Sequence, residues 1–137
     1  MAELFTEKEL AYLAGQRLGR LATVDGEGRP HVVPVGYRLS EAGTIEIAGP
    51  NMAASKKFKN IAAEPRVAFV VDDLTPPDEP VYRPDVGRGV EVLGRASLCG
   101  GEGGRPTISI SPEVVYSWHV DEARRPISVL ADREGRL

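Results

Sequence analysis

Short runs of β-branched and aromatic residues, each closed by a Gly- or Pro-rich break, recur along the chain and set its fold class. Leu18 to Asp25 leads through the turn sequence GEGRP, Gly26 to Pro30, into the apolar run His31 to Leu39, which predicts a β-hairpin. A further turn at Ser40 to Gly43 precedes Thr44 to Ala48, where Ile45 and Ile47 alternate with polar residues as in a third strand. Arg66 to Val71 and Arg88 to Leu98 read as strands, as do Pro106 to Ser111 and Val114 to Val120 beyond the Gly-rich tip Cys99 to Gly104. Between the first two of these lies Asp72 to Val86, an acidic, Pro-rich loop too long for a tight hairpin. Six or seven antiparallel strands of this length favour a closed or partly closed barrel, because closure removes exposed edges.

Only two segments carry a helical pattern. Thr6 to Arg17 places Leu10, Leu13 and Ala14 at helical spacing, with Thr6 and Glu9 in the positions of a capping box. Ala53 to Ala63 is helix-forming, and Pro65 stops it. The fold class is therefore all-β with small helices. A chain of 137 residues makes one domain over residues 1–137 and buries about 70% of its unfolded surface. The segment 121–137 reads as a polar, basic, loosely ordered tail.

Charge and composition remove several function classes. A net charge of −3 and 6% aromatic residues argue against a nucleic-acid binder, which would need a basic groove and stacking platforms. The single Cys99 forms no internal disulfide, and His31 and His119 stand too far apart for a zinc pattern, so no metal site is expected. Cys99 itself reads as a small packed residue. The acidic N-terminus lacks the features of a signal peptide, and no stretch approaches a membrane span, which together point to a cytoplasmic protein. No Ser elbow, P-loop or dinucleotide fingerprint is present, and no catalytic residue stands out.

The most informative segment is GPNMAASKKFKN, Gly49 to Asn60, which holds three of the four lysines of the chain. Ala54, Phe58, Ile61 and Ala62 fall on one helical face, leaving Lys56 and Lys59 outward and Lys57 on the flank. Cations at a helix N-terminus oppose the macrodipole, so an anionic group seated at Asn51 to Lys57 would relieve them. It would receive backbone N–H groups, the Ser55 hydroxyl and ammonium groups together, the chemistry of a phosphate site.

SKKFKNIAAEPRVAFVVDD followed by RGVEVLGRASL resembles the central block of the pyridoxamine 5'-phosphate oxidase-like split-barrel flavoproteins. With FTEKELAYLAGQRLGRLATVDGEGRPHVVPVGY and GPNMAASKKFKN added, the chain is most similar to the actinobacterial branch assigned to the deazaflavin coenzyme F420. The resemblance implies an FMN-binding-type split β-barrel, assembled as a homodimer with cofactor sites at the subunit interface. It implies that Ser55, Lys56 and Lys57 bind the cofactor phosphate and that Asn60 follows them in the family pattern. It implies that the tricyclic ring lies along the second and third strands, mostly on backbone groups, with His31, Val33 and Pro34 on the second and Ala48, Gly49, Asn51 and Met52 on the third. Trp118 matches a family Trp that lies near the partner subunit's cofactor.

The implied activity is an oxidoreductase that passes a hydride from reduced coenzyme F420 to a small unsaturated or carbonyl-bearing molecule. An FMN-dependent enzyme and a non-catalytic cofactor carrier would use the same phosphate site. Gly89 stands where FMN-dependent oxidases commonly carry Gln, which argues against FMN, and no C-terminal vitamin B6 motif follows Trp118. Positions that are often basic in deazaflavin relatives hold Ser109, Ser111 and Glu113.

Overall fold

The computed structural model describes residues 4–76, 87–100 and 102–122. Helix α1 spans Glu7–Gly15 and is capped as its sequence requires. The Thr6 hydroxyl oxygen accepts the Glu9 N–H at 3.2 Å, and the Glu9 carboxylate accepts the Thr6 N–H at 2.9 Å. Glu9 is fully buried, and its second oxygen takes the Ser117 hydroxyl, so the capping residue also fastens α1 to the last strand.

Seven strands follow: β1 (Leu18–Val24), β2 (Pro30–Gly36), β3 (Arg38–Leu39), β4 (Ile45–Ile47), β5 (Arg66–Leu74), β6 (Gly87–Cys99) and β7 (Thr107–Trp118). All pair antiparallel in the order β2-β1-β5-β6-β7-β4-β3. The two ends of this array, β2 and β3, are consecutive in the chain with only Tyr37 between them. The sheet must therefore curl until its edges approach, which makes the expected partly closed barrel. Its interior is filled by alternate residues of the strands, among them Leu21, Ile45, Phe69, Val92 and Ile110, all with no exposed surface.

Several expectations need correction. The two strands expected over 106–120 are one, because a bulge absorbs Pro112: pairing passes from Leu93 opposite Val114 to Gly94 opposite Pro112, leaving Glu113 as the extra residue. A bulge tolerates the missing proline N–H that a regular ladder would need. The helix expected from Ala53 is divided into a 3-10 turn over Met52–Ala54 and α2 over Lys56–Ala63. On α2, Ile61 is buried as expected and Phe58 partly so, but Ala54 and Ala62 are exposed and Asn60 is buried instead. Cys99 is exposed, not packed. The acidic segment after Val71 continues β5 as far as Leu74, and the rest of the expected loop, 77–86, lies outside the described residues, as does the tail from 123. Among the described residues no helix is long and apolar enough to cross a membrane.

The outer wall of the barrel divides into two chemically different halves. Across β3, β4, β7 and β6 the outward row is polar: Arg38, Glu46, Ser109 and Ser97 stand side by side. Glu46 accepts the hydroxyls of Thr44 and Ser109, each at 2.6 Å. Across β2, β1, β5, β6 and β7 the corresponding row is apolar: Val32, Ala22, Ala68, Leu93 and Val114 are cross-strand partners in turn. Val32 is 64% exposed and Val114 40%.

In the adjoining row Glu91 lies between Val70 and Tyr116, where partial burial raises its carboxyl pKa and no ion pair within the described residues offsets it. A pKa raised by folding means that the Glu91 contribution is most favourable below the unfolded value, about 4.3, and is lost as pH rises through the folded value. Glu91→Gln is accordingly expected to raise the denaturation midpoint at pH 7. The difference from wild type should vanish by pH 4, as read by urea titrations at both pH values.

Candidate cofactor site

The β1–β2 hairpin brings Asp25 next to the start of α2. The Asp25 carboxylate is held down to about pKa 2, chiefly by the Arg29 backbone N–H and then that of Glu27, with the Arg29 side chain adding a bond at 2.9 Å. It stays ionised through the neutral range, 4.0 Å from Lys56 Nζ. Lys56 is thus drawn toward the hairpin, while Lys57 and Lys59 make no ion pair among the described residues.

Ser55 is the N-cap of α2. Its hydroxyl oxygen accepts the Phe58 N–H at 3.3 Å and its proton goes to the Met52 carbonyl at 2.6 Å. The N–H groups of Lys56 and Lys57 have no acceptor inside the helix by its geometry. With α2 beginning at Lys56, all three lysines fall in or beside its first turn and no acidic residue does. This concentrates positive potential at one point, beside a half-buried Lys57.

Immediately before this helix the chain lines an open pocket of about 900 Å³. Residues 48–54 form one side, and Arg105 and Pro106 at the foot of β7 form the other. Ala48, Gly49, Asn51 and Met52 all border it, but the strand expected to carry them has ended at Ile47, so Ala48, Gly49 and Asn51 belong to a loop and Met52 to the 3-10 turn. Asn51 adopts the left-handed conformation at φ 53°, which asparagine tolerates better than most residues. A Cβ built on Gly49 would meet nothing within 4 Å. A backbone-rich, small-residue wall leading to a cationic helix end fits a flat ring system carrying a phosphate.

The remaining site residues expected from sequence fall elsewhere. Along β2 the side chains alternate, so His31 and Val33 face one side and Pro34 the other. His31 stands opposite Thr23, whose hydroxyl accepts the Asn60 amide N–H at 3.0 Å, and the His31 Nδ1 is buried without a partner. The Asn60 amide is therefore turned to the barrel wall. Trp118 ends β7, the strand that starts beside the pocket, and is not among the residues that line it.

Arg105 escaped sequence analysis because the Gly-rich segment before it reads only as a hairpin tip. Its signal is that no other Lys or Arg lies between Arg95 and Arg124. The Ser109 hydroxyl, by contrast, is committed to Glu46. Among the described residues no cluster of His, Cys, Asp or Glu could hold a metal ion.

A family model described as pyridoxamine 5'-phosphate oxidase matches residues 5–124. A 5a,11a-dehydrotetracycline/5a,11a-dehydrooxytetracycline reductase of Streptomyces rimosus subsp. rimosus is 44% identical over 125 residues, covering 85% of this chain and 84% of that one. A conserved hypothetical protein of Mycobacterium tuberculosis superposes with a TM-score of 0.68 at 22% identity, over 83% of this chain and 84% of its own. A structure described as an F420 reductase gives 0.61 at 22% identity, over 80% and 97%. The chain has the split-barrel fold and belongs to the pyridoxamine 5'-phosphate oxidase family.

Proposed function

We propose that this protein is a reductase that delivers a hydride from reduced coenzyme F420 to a conjugated carbon–carbon double bond of a polycyclic, tetracycline-type molecule. The observation that carries this is the junction of the pocket lined by residues 48–54 with the N-terminus of α2. Lys57 and the free N–H groups of Lys56 and Lys57 take the cofactor phosphate, with Ser55 holding the helix start in place. Ala48, Gly49, Asn51 and Met52 support the ring, and Arg105 faces the acidic groups of the cofactor tail across the pocket. His31 and Val33 line the barrel side and Asn60 fixes the helix against it through Thr23. The deazaflavin, when bound, supplies the hydride, so the protein's part is binding, orientation and exclusion of water. The substrate class follows the 44% identical relative, a reductase of dehydrotetracyclines.

The apolar row Val32, Ala22, Ala68, Leu93 and Val114 is the surface for a second copy of the chain, since exposed contiguous apolar area of this kind marks an interface. A homodimer of the kind the family resemblance implies would bring Trp118 of one subunit near the cofactor site of the other. Val32→Asp is expected to shift the protein to monomer, weakening association at least tenfold in analytical ultracentrifugation, with little change in the helical and sheet signals of the circular dichroism spectrum. The activity is tested by mixing the enzyme with reduced coenzyme F420 and a dehydrotetracycline. Reoxidation of the coenzyme with stoichiometric reduction of the acceptor is expected. Reoxidation only in the presence of added FMN would move the protein to the flavin-dependent enzymes.

A further inference from the structure

The outward positions of β1, β2, β5, β6 and β7 carry every large apolar side chain that is exposed among the described residues. Leu18, Val32, Leu74 and Val114 all share the outward parity of the row Val32, Ala22, Ala68, Leu93 and Val114. Exposed apolar area gathered on one wall marks a contact surface, and its occupant is the second copy of the chain proposed above.

The cations of this wall are already engaged. Arg20 lies 3.0 Å from Asp72, Arg66 2.9 Å from Glu64 and Arg95 3.4 Å from Glu113. Glu91 is the carboxyl left over, and it sits in the middle of the wall. Its direct cross-strand partners are Val70 and Tyr116; diagonal to it stand Ala68 and Asp72 on β5 and Val114 and Trp118 on β7. Asp72 is the only charged group among these neighbours, and it repels a second carboxylate while holding Arg20.

Two copies that meet through a two-fold contact present the same face to each other, so the partner brings the same set of charges. Its three arginines are held by its own carboxylates, and no spare cation arrives for Glu91. With Glu91 ionised, the wall and its ion pairs hold three cations against four carboxylates; with Glu91 protonated the charges cancel. A carboxylate enclosed without a cation is costly, whereas the neutral acid is a modest polar group.

We propose that subunit association across this wall is coupled to protonation of Glu91: each subunit takes up a proton there, and the dimer tightens as pH falls. The surface rests on the dimer reading given above, whereas the coupling rests on the placement of Glu91 among arginines that are already paired. A carboxyl that holds its proton more tightly in the dimer than in the free subunit favours association below the free-subunit value and loses that effect as pH rises through the dimer value. Glu91 is thus a brake on association that acid releases.

Sedimentation equilibrium of wild type, Glu91→Gln and Val32→Asp between pH 5 and pH 8, at fixed ionic strength, tests this. The wild-type dissociation constant is expected to rise by about tenfold or more across that range, since a two-fold contact couples a proton at each of its two copies of Glu91. Glu91→Gln keeps a neutral side chain of the same shape at every pH and should stay within about twofold of the wild-type value at pH 5. Val32→Asp should associate more weakly than wild type at both ends of the range. Wild type that is monomeric throughout, or that dimerises equally well as Val32→Asp, would remove the surface and the coupling with it. A dimer that Val32→Asp breaks, but whose dissociation constant is flat or falls as pH rises, would overturn the coupling alone. Glu91→Gln as pH-dependent as wild type would do the same, assigning the titration to another group.

Discussion

Phe69→Ala is expected to lower the unfolding free energy by about 3–5 kcal/mol, the range for removing a fully enclosed aromatic ring. Phe69 has no exposed surface and stands in the middle of β5. Its ring meets Tyr37 edge-on, with centroids 5.1 Å apart at 77°. On its other side it lies against β1 at Gly19, where a Cβ would come within 2.2 Å of the ring. Tyr37 is the single residue between β2 and β3, and its hydroxyl donates to the Leu13 carbonyl at 2.6 Å. Loss of the Phe69 ring therefore removes filling from the core and support from the point where the barrel edges approach. Urea unfolding followed by circular dichroism reads the change directly; a loss under about 1 kcal/mol would mean that the cavity collapses and that Tyr37 needs no such support.

Asp73→Ala has the next largest expected effect, about 3 kcal/mol, the low end for breaking a largely covered ion pair. The Asp73 carboxylate receives the Arg88 guanidinium and the Tyr12 hydroxyl, the latter at 2.8 Å, and the guanidinium also lies 4.9 Å from the Tyr12 ring centre. Without the carboxylate, Arg88 keeps its charge at a site where only 15% of its side chain is exposed. Partial burial pushes the Asp73 pKa up, but the Arg88 and Tyr12 hydrogen bonds more than reverse it, so the net direction is down. A folded pKa below the unfolded one makes the contribution present above about pH 3.9 and lost as pH falls through the folded value. The gap between wild type and Asp73→Ala should therefore be full at pH 7 and narrow below pH 4. Parallel denaturation curves at both pH values check the sign.

The parts of this fold governed by local chemistry were legible in the sequence. Thr6 and Glu9 announce α1 because a capping box is made of neighbours. The turn after Asp25 is legible for the same reason, since Asp25 bonds the N–H groups of Glu27 and Arg29. Features that depend on distant partners were not. The burial of Asn60 is decided by Thr23, and no helical projection that ranks residues by hydrophobicity would turn an amide inward. Pro112 suggests a break between strands, whereas β7 accommodates it in a bulge against β6. The proposal of an anion site at the lysine run comes from the macrodipole alone, and the shorter helix brings those lysines nearer to its N-terminus. Arg105 joins the pocket only because β7 begins next to the loop after β4, a consequence of strand order. The separation of Trp118 from that pocket has the same origin.

The central claim, that the pocket and the start of α2 hold a deazaflavin phosphate, is tested most directly by fluorescence titration of the protein with coenzyme F420 and with FMN at matched ionic strength, for wild type and Lys57→Ala. Coenzyme F420 is expected to bind more tightly than FMN, and Lys57→Ala to weaken it at least tenfold, in keeping with about 1.5–3 kcal/mol for a hydrogen bond to a charged group. Binding of neither cofactor, or equal coenzyme F420 affinity in wild type and Lys57→Ala, would contradict it.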